Sequence, residues 1–139
     1  MAERERDIRK FERAAERRLA AASLLLENAF HLEAMYIAGY SAECALKALI
    51  LKRTSRTQHA WMWEQLTHVG AKGHDIEYLR RILVRRPINC VIPRDIGRAL
   101  RNLGDWTTNW RYEVIQIEYN DARRFLRMVD QVHQWTRRS

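Results

Sequence analysis

The segment Tyr36-Ile37-Ala38-Gly39-Tyr40-Ser41-Ala42-Glu43-Cys44-Ala45-Leu46-Lys47-Ala48-Leu49-Ile50 constrains this chain more than any other, because it reads as an apolar helix that still carries a Glu and a Lys. Glu43 and Lys47 stand i,i+4 with the acid on the N-terminal side, the better orientation for a helical ion pair. Tyr36, Tyr40, Glu43 and Lys47 share one side of that helix, so a polar stripe runs beside a greasy one. The pair reads as a plain helix-stabilising contact, worth only ~0.2–0.5 kcal/mol when exposed, ahead of a general acid–base couple.

The remaining periodicity is helical throughout. Ile8, Phe11, Ala15, Leu19, Ala22, Leu25, Leu26 and Ala29 form one stripe of a long first helix over about residues 5–29. A second, from about Leu32 to Arg53, pairs with it antiparallel, and its small residues Ala38, Gly39, Ser41 and Ala42 allow close backbone approach there. Periodicity is lost over 54–73, a partly helical excursion around Trp61 and Trp63. His74-Asp75 then opens a third helix, with Asp75 suited to an N-terminus, and Pro87 ends it. A fourth starts at Ile92-Pro93-Arg94-Asp95 and stops near Gly104; a short Trp106–Tyr112 element leads to a last helix at about 120–137. The expected architecture is all-α: one domain spanning 1–139, a five-helix up-and-down type bundle with a long antiparallel N-terminal pair.

At 139 residues the chain can bury a core without disulfides or metal. Cys44 and Cys90 suggest no disulfide framework and no metal site, and no cofactor is called for. Neither a membrane span nor a signal peptide is read from the sequence, and a reducing cytoplasm is the expected compartment. The net charge is +8, and nearly all of it is Arg, whose planar fork suits phosphate. A polyanionic partner such as RNA competes here with the plainer reading of solvated helix faces.

Three polar clusters stand out: Glu43 with Lys47, His74 with Asp75, and Arg111 with Tyr112. In order and wording, Tyr36-x-x-Gly39-Tyr40-Ser41-Ala42-Glu43-Cys44-Ala45-Leu46-Lys47-Ala48-Leu49, then His74-Asp75-Ile76-x-x-Leu79, then Trp110-Arg111-Tyr112, the chain resembles the HEPN family over nearly its whole length. The resemblance implies a helical bundle, often a homodimer, that frequently acts as a metal-independent endoribonuclease in toxin–antitoxin or defence systems. A nucleotidyltransferase antitoxin is a common partner of such domains. In active members four to six residues separate an Arg from a following His, and the pair acts on the RNA 2′-hydroxyl and phosphate across a dimer cleft.

Arg111 matches that Arg. The His is missing, because Gln116, Ile117 and Glu118 occupy the corresponding positions. Glu118 is the one ionisable group among them, and so the tentative catalytic set is Arg111 with Glu118. Tyr119 falls where some members carry a Tyr two residues after the His, if five residues intervene. The phosphate or nucleic-acid cluster implied is Glu43, Lys47, His74, Asp75, Arg111, Tyr112 and Tyr119.

Each has a plainer alternative. His74 caps a helix or bonds a buried carboxylate, and Arg111 pairs with Glu43 in the interior. Trp61, Trp63, Trp106, Trp110 and Trp135 are core or interface aromatics by default and base-stacking platforms otherwise. The Arg runs at 80–81, 85–86 and 123–124 become an RNA footprint only if they converge on one groove. A binding module of RNA, a nucleotide or a partner protein is thus the leading reading, beside a ribonuclease and a purely structural module.

Overall fold

A computed structural model describes residues 2–104, 106 and 116–139 of the chain. Those residues form six α-helices: α1 (Glu3–Glu27), α2 (His31–Arg53), α3 (His59–Thr67), α4 (Ile76–Val84), α5 (Arg94–Leu103) and α6 (Tyr119–Arg138). Short 3-10 turns at Arg56–Gln58 and Gly70–His74 flank α3. The all-α expectation holds, but the helix count differs from five. The stretch that lacks periodicity contains a helix of its own, α3, which buries only His59, Met62 and Leu66 and so leaves little apolar pattern to read.

The first two helices pair antiparallel, and side chains fix their register. Ser41 Oγ donates to the Ala15 carbonyl at 2.6 Å, where Ala15, Cys44 and Ala45 pack together. At the other end Arg4 donates to the carbonyls of Leu51, Lys52 and Thr54 at 3.3, 2.9 and 3.4 Å. That guanidinium gathers carbonyls at the end of α2, Leu51 O accepting the Thr54 N–H as well, and places a positive charge at the negative end of the helix dipole. Ala29, expected in the first helix, lies beyond it in the three-residue link, at a φ of 66°.

Helix α6 closes the central group. His31, opening α2, bonds the Ile117 carbonyl at 2.7 Å, while Lys52 near its end donates to Thr136 O at 3.1 Å. The two helices therefore run parallel, and α6 runs antiparallel to α1. Surrounded in this way, α2 is buried on nearly all sides from Ala38 to Leu51, Tyr40 being half-buried. By length and hydropathy it is also the one helix among the described residues that reaches the range of a membrane span, yet 78% of that window is buried inside the bundle. Its apolar character is that of a core helix.

Gly39 has a definite physical reason. The small residues at 38–42 do serve the contact with α1 through Ser41, but a Cβ at Gly39 would stand 1.9 Å from Trp106 Nε1. The Trp106 indole lies against the α2 backbone and donates to the Tyr36 carbonyl at 3.0 Å. It is 4% exposed. Only a residue without a side chain admits an indole this close.

Candidate functional site

The polar stripe of α2 is a connected row of side chains. Tyr36 and Tyr40 hydroxyls meet at 3.1 Å, and the Tyr40 ring sits edge-on to Trp106 at 4.9 Å and to His74 at 6.0 Å. His74 Nδ1 lies 3.0 Å from Glu43 Oε1, and Lys47 Nζ donates to Glu43 Oε2 at 2.8 Å. The row ends at α1, where the Phe11 ring lies 5.7 Å from the Lys47 ammonium. Trp106, the two tyrosines, His74, Glu43 and Lys47 thus form one wall.

The Glu43–Lys47 pair is formed as its spacing predicts, but inside the protein, so the small value of an exposed helical pair does not apply. Glu43 and Lys47 are 4% and 5% exposed, so both charges have been taken out of water and each needs a partner. An ionised carboxylate only accepts hydrogen bonds, so the His74 contact fixes the tautomer: Nδ1 carries the proton and donates it to Glu43. The His74 side chain is 45% exposed, whereas that of Glu43 is 6% exposed. A buried carboxylate therefore holds a half-exposed imidazole whose Nε2 meets no polar group among the described residues.

Asp75 takes a structural role. It is the N-cap of α4, its carboxylate accepting the Glu77 N–H at 2.9 Å, as its position before the apolar run predicts. His74 itself closes the 3-10 turn ahead of that cap. Of its two plainer alternatives, the bond to a buried carboxylate is the one observed.

Glu118 and Tyr119 lie elsewhere. Glu118 is exposed at the N-cap of α6, and Tyr119 opens that helix with its ring 5.8 Å from His31. His31 is twelve residues before Glu43, about 18 Å along α2, so the structure does not bring these two residues to the Glu43 cluster. Trp110, Arg111 and Tyr112 lie outside the described residues. Of the other tryptophans, Trp106 and Trp135 are buried, Trp63 packs on Phe11 and Trp61 is 54% exposed.

Two further histidines have carboxylate partners. His59 Nε2 pairs with Asp7 Oδ2 at 2.7 Å, joining α3 to α1, and His68 pairs with Glu64 one turn before it. The second pair is legible as i,i+4; the first joins residues 52 apart and has no local signal. His133 is buried on α6, and its pKa is lowered, first by burial and then by Arg137. Burial, with Glu43 next in the chain, pushes the Cys44 thiol up to about 11, which makes it a core thiol rather than a nucleophile. Among the described residues no group of three or more His, Cys, Asp or Glu side chains converges as a metal site would require.

The family model described as the HEPN domain matches residues 8–139. No curated protein and no solved structure gives a match.

Proposed function

The chain belongs to the HEPN domain family, and from that premise we propose that it is an RNA- or nucleotide-binding module in which His74, held by Glu43, meets a phosphate of the ligand. The observation that carries this reading is the buried Lys47–Glu43 pair behind a half-exposed imidazole. Lys47 and the His74 Nδ1–H donate to the two oxygens of Glu43, which turns Nε2 away from the carboxylate as the atom that meets the anion. Arg111, matching the family's Arg, supplies the planar fork for the same phosphate in this proposal. A homodimer, a nucleotidyltransferase antitoxin and a toxin–antitoxin or defence setting complete it, on the family resemblance alone.

A second reading has its own supporting observation. A histidine oriented by a buried carboxylate is the arrangement that general acid–base catalysis uses, so His74 is a candidate to stand in for the His missing at 116–118 of a metal-independent ribonuclease. Glu118, exposed at the head of α6, is the alternative stand-in from the sequence.

One set of measurements separates these readings. Wild type, His74→Ala, Arg111→Ala and Glu118→Ala are compared for binding of a labelled RNA and for its cleavage without metal between pH 5 and 9. The binding module predicts salt-dependent affinity, weakened by His74→Ala and Arg111→Ala, with no cleavage. Cleavage lost in His74→Ala or Glu118→Ala establishes the ribonuclease and names its proton carrier. An affinity indifferent to salt defeats the phosphate contact.

A further inference from the structure

Helices α4 and α5 enclose an open cleft of about 660 Å3 between them. Arg80 lines it from α4, and Arg94, Gly97 and Arg101 from α5. Arg80 is held in place by Glu77, with Nε on Oε2 at 2.8 Å and an Nη on Oε1 at 2.7 Å, which leaves its other N–H donors available. Arg94 and Arg101 make no ion pair or side-chain hydrogen bond with any described residue. Seven residues apart, they mark points about 10 Å from one another along the same face of α5.

Gly97 between them is a second, independent observation. It lies inside a helix, where glycine costs ~0.5–1 kcal/mol relative to alanine. Nothing packs against it to explain that cost, since an added Cβ would meet only Ile92, at 4.0 Å. Gly39 makes room for Trp106, whereas Gly97 makes room for nothing among the described residues. What its missing side chain does is keep the cleft floor open between two arginines.

We propose that this cleft holds the phosphodiester backbone of a single nucleic-acid strand, with Arg94 and Arg101 on successive phosphates and Arg80 facing them from α4. The proposal rests on the nucleic-acid reading above and adds the place where the strand runs. Cations separated along a groove select a ligand with charge repeated along its length, which a lone phosphate lacks. Residues 76–103 carry seven arginines and no lysine against Glu77 and Asp95, five of the eight net positive charges of the chain. That density of guanidinium forks suits a backbone bearing one phosphate per nucleotide better than a polypeptide with scattered carboxylates.

The test measures anisotropy of a labelled oligouridine with the full chain over a salt series. Four proteins are compared: wild type, Arg94→Ala/Arg101→Ala, Gly97→Leu, and Arg9→Ala/Arg17→Ala as an equal charge loss on exposed positions of α1. The cleft pair should weaken binding and flatten the log–log salt slope by about 1.4, at ~0.7 for each single-strand phosphate no longer neutralised. Gly97→Leu should weaken binding with charge unchanged, and the α1 pair should leave the slope near wild type. Melting temperatures verify folding, and Gly97→Phe supplies a second way to fill the cleft.

If wild type fails to bind at low salt, the nucleic-acid reading falls and the cleft falls with it. If wild type binds and the cleft variants bind equally well, the reading stands and the cleft is overturned. Tighter binding of poly-glutamate than of RNA, abolished in the same variants, assigns the cleft to an acidic protein and overturns the proposal.

Discussion

His74 donates through Nδ1 to Glu43 at 3.0 Å, joining a surface imidazole to a carboxylate buried in the central helix across 31 residues of chain. Lys47 occupies the other carboxylate oxygen at 2.8 Å. The three side chains are one unit with a structural half and an exposed half. Substitutions should separate the two.

Lys47→Met removes one partner of a buried charge pair, and it should destabilise the fold by ~3–5 kcal/mol because Glu43 is left undercompensated. Replacing both, as Glu43→Leu/Lys47→Met, should recover most of that loss, since an apolar pair of similar volume is often neutral or better. The double variant nevertheless deprives His74 of its anchor. Urea unfolding should therefore show restored stability while RNA affinity stays low; affinity equal to wild type would show that Glu43 does not position the imidazole.

Gly39→Ala should cost ~1–3 kcal/mol, the range for overpacking a filled site, because its Cβ would enter the Trp106 ring. Gly97→Ala, in open space, should instead stabilise by ~0.5–1 kcal/mol. Opposite signs for the same substitution in two helices are the outcome to look for in chemical denaturation. The pairing of Gly39 with Trp106 is refuted if the two variants shift together.

What can be read from the sequence follows the range of the forces involved. The two long helices, the Asp75 cap and the row of Tyr36, Tyr40, Glu43 and Lys47 depend on neighbours within a turn or two, and spacing reveals them. The burial of Glu43 and Lys47 does not, because Phe11 of α1 and His74 ahead of α4 pack on a face that the pattern of α2 alone leaves polar. The same holds for Trp106 on Gly39, 67 residues apart, and for His59 on Asp7. In the sequence Gly39 reads as a small residue for a helix–helix contact, and no local signal distinguishes that from a seat for an indole. Around Gly97 the helical pattern is local and legible, but the emptiness beside it is a property of α4 and α5 together.

Cys44 should give the protein an alkaline weakness. Its thiol is raised from 9.0 to about 11 by burial and by Glu43, so the unfolded chain loses this proton at lower pH than the folded one. Between those values the folded state holds more protons, and stability falls as pH rises. A difference of that size corresponds to ~2.7 kcal/mol at most. Urea midpoints at pH 8 and 10.5 should drop further for wild type than for Cys44→Ala, and equal drops would exclude the thiol as the cause.

His133 should act at the acid end. Burial on α6, with Arg137 nearby, lowers its pKa, against the opposing pull of Asp130, Glu16 and Glu12. A histidine whose pKa is lower folded than unfolded contributes stability above its unfolded pKa of ~6.5, and that contribution is lost as pH falls through the lower folded value. His133→Gln keeps a polar group of similar size and cannot titrate. Between pH 7 and 5 the variant should lose less stability in urea than wild type, while at pH 7 the two should lie within ~1 kcal/mol, as a size-matched change predicts. If both lose stability in parallel over that range, the acid sensitivity belongs to another group and His133 is only a packing residue between α1 and α6.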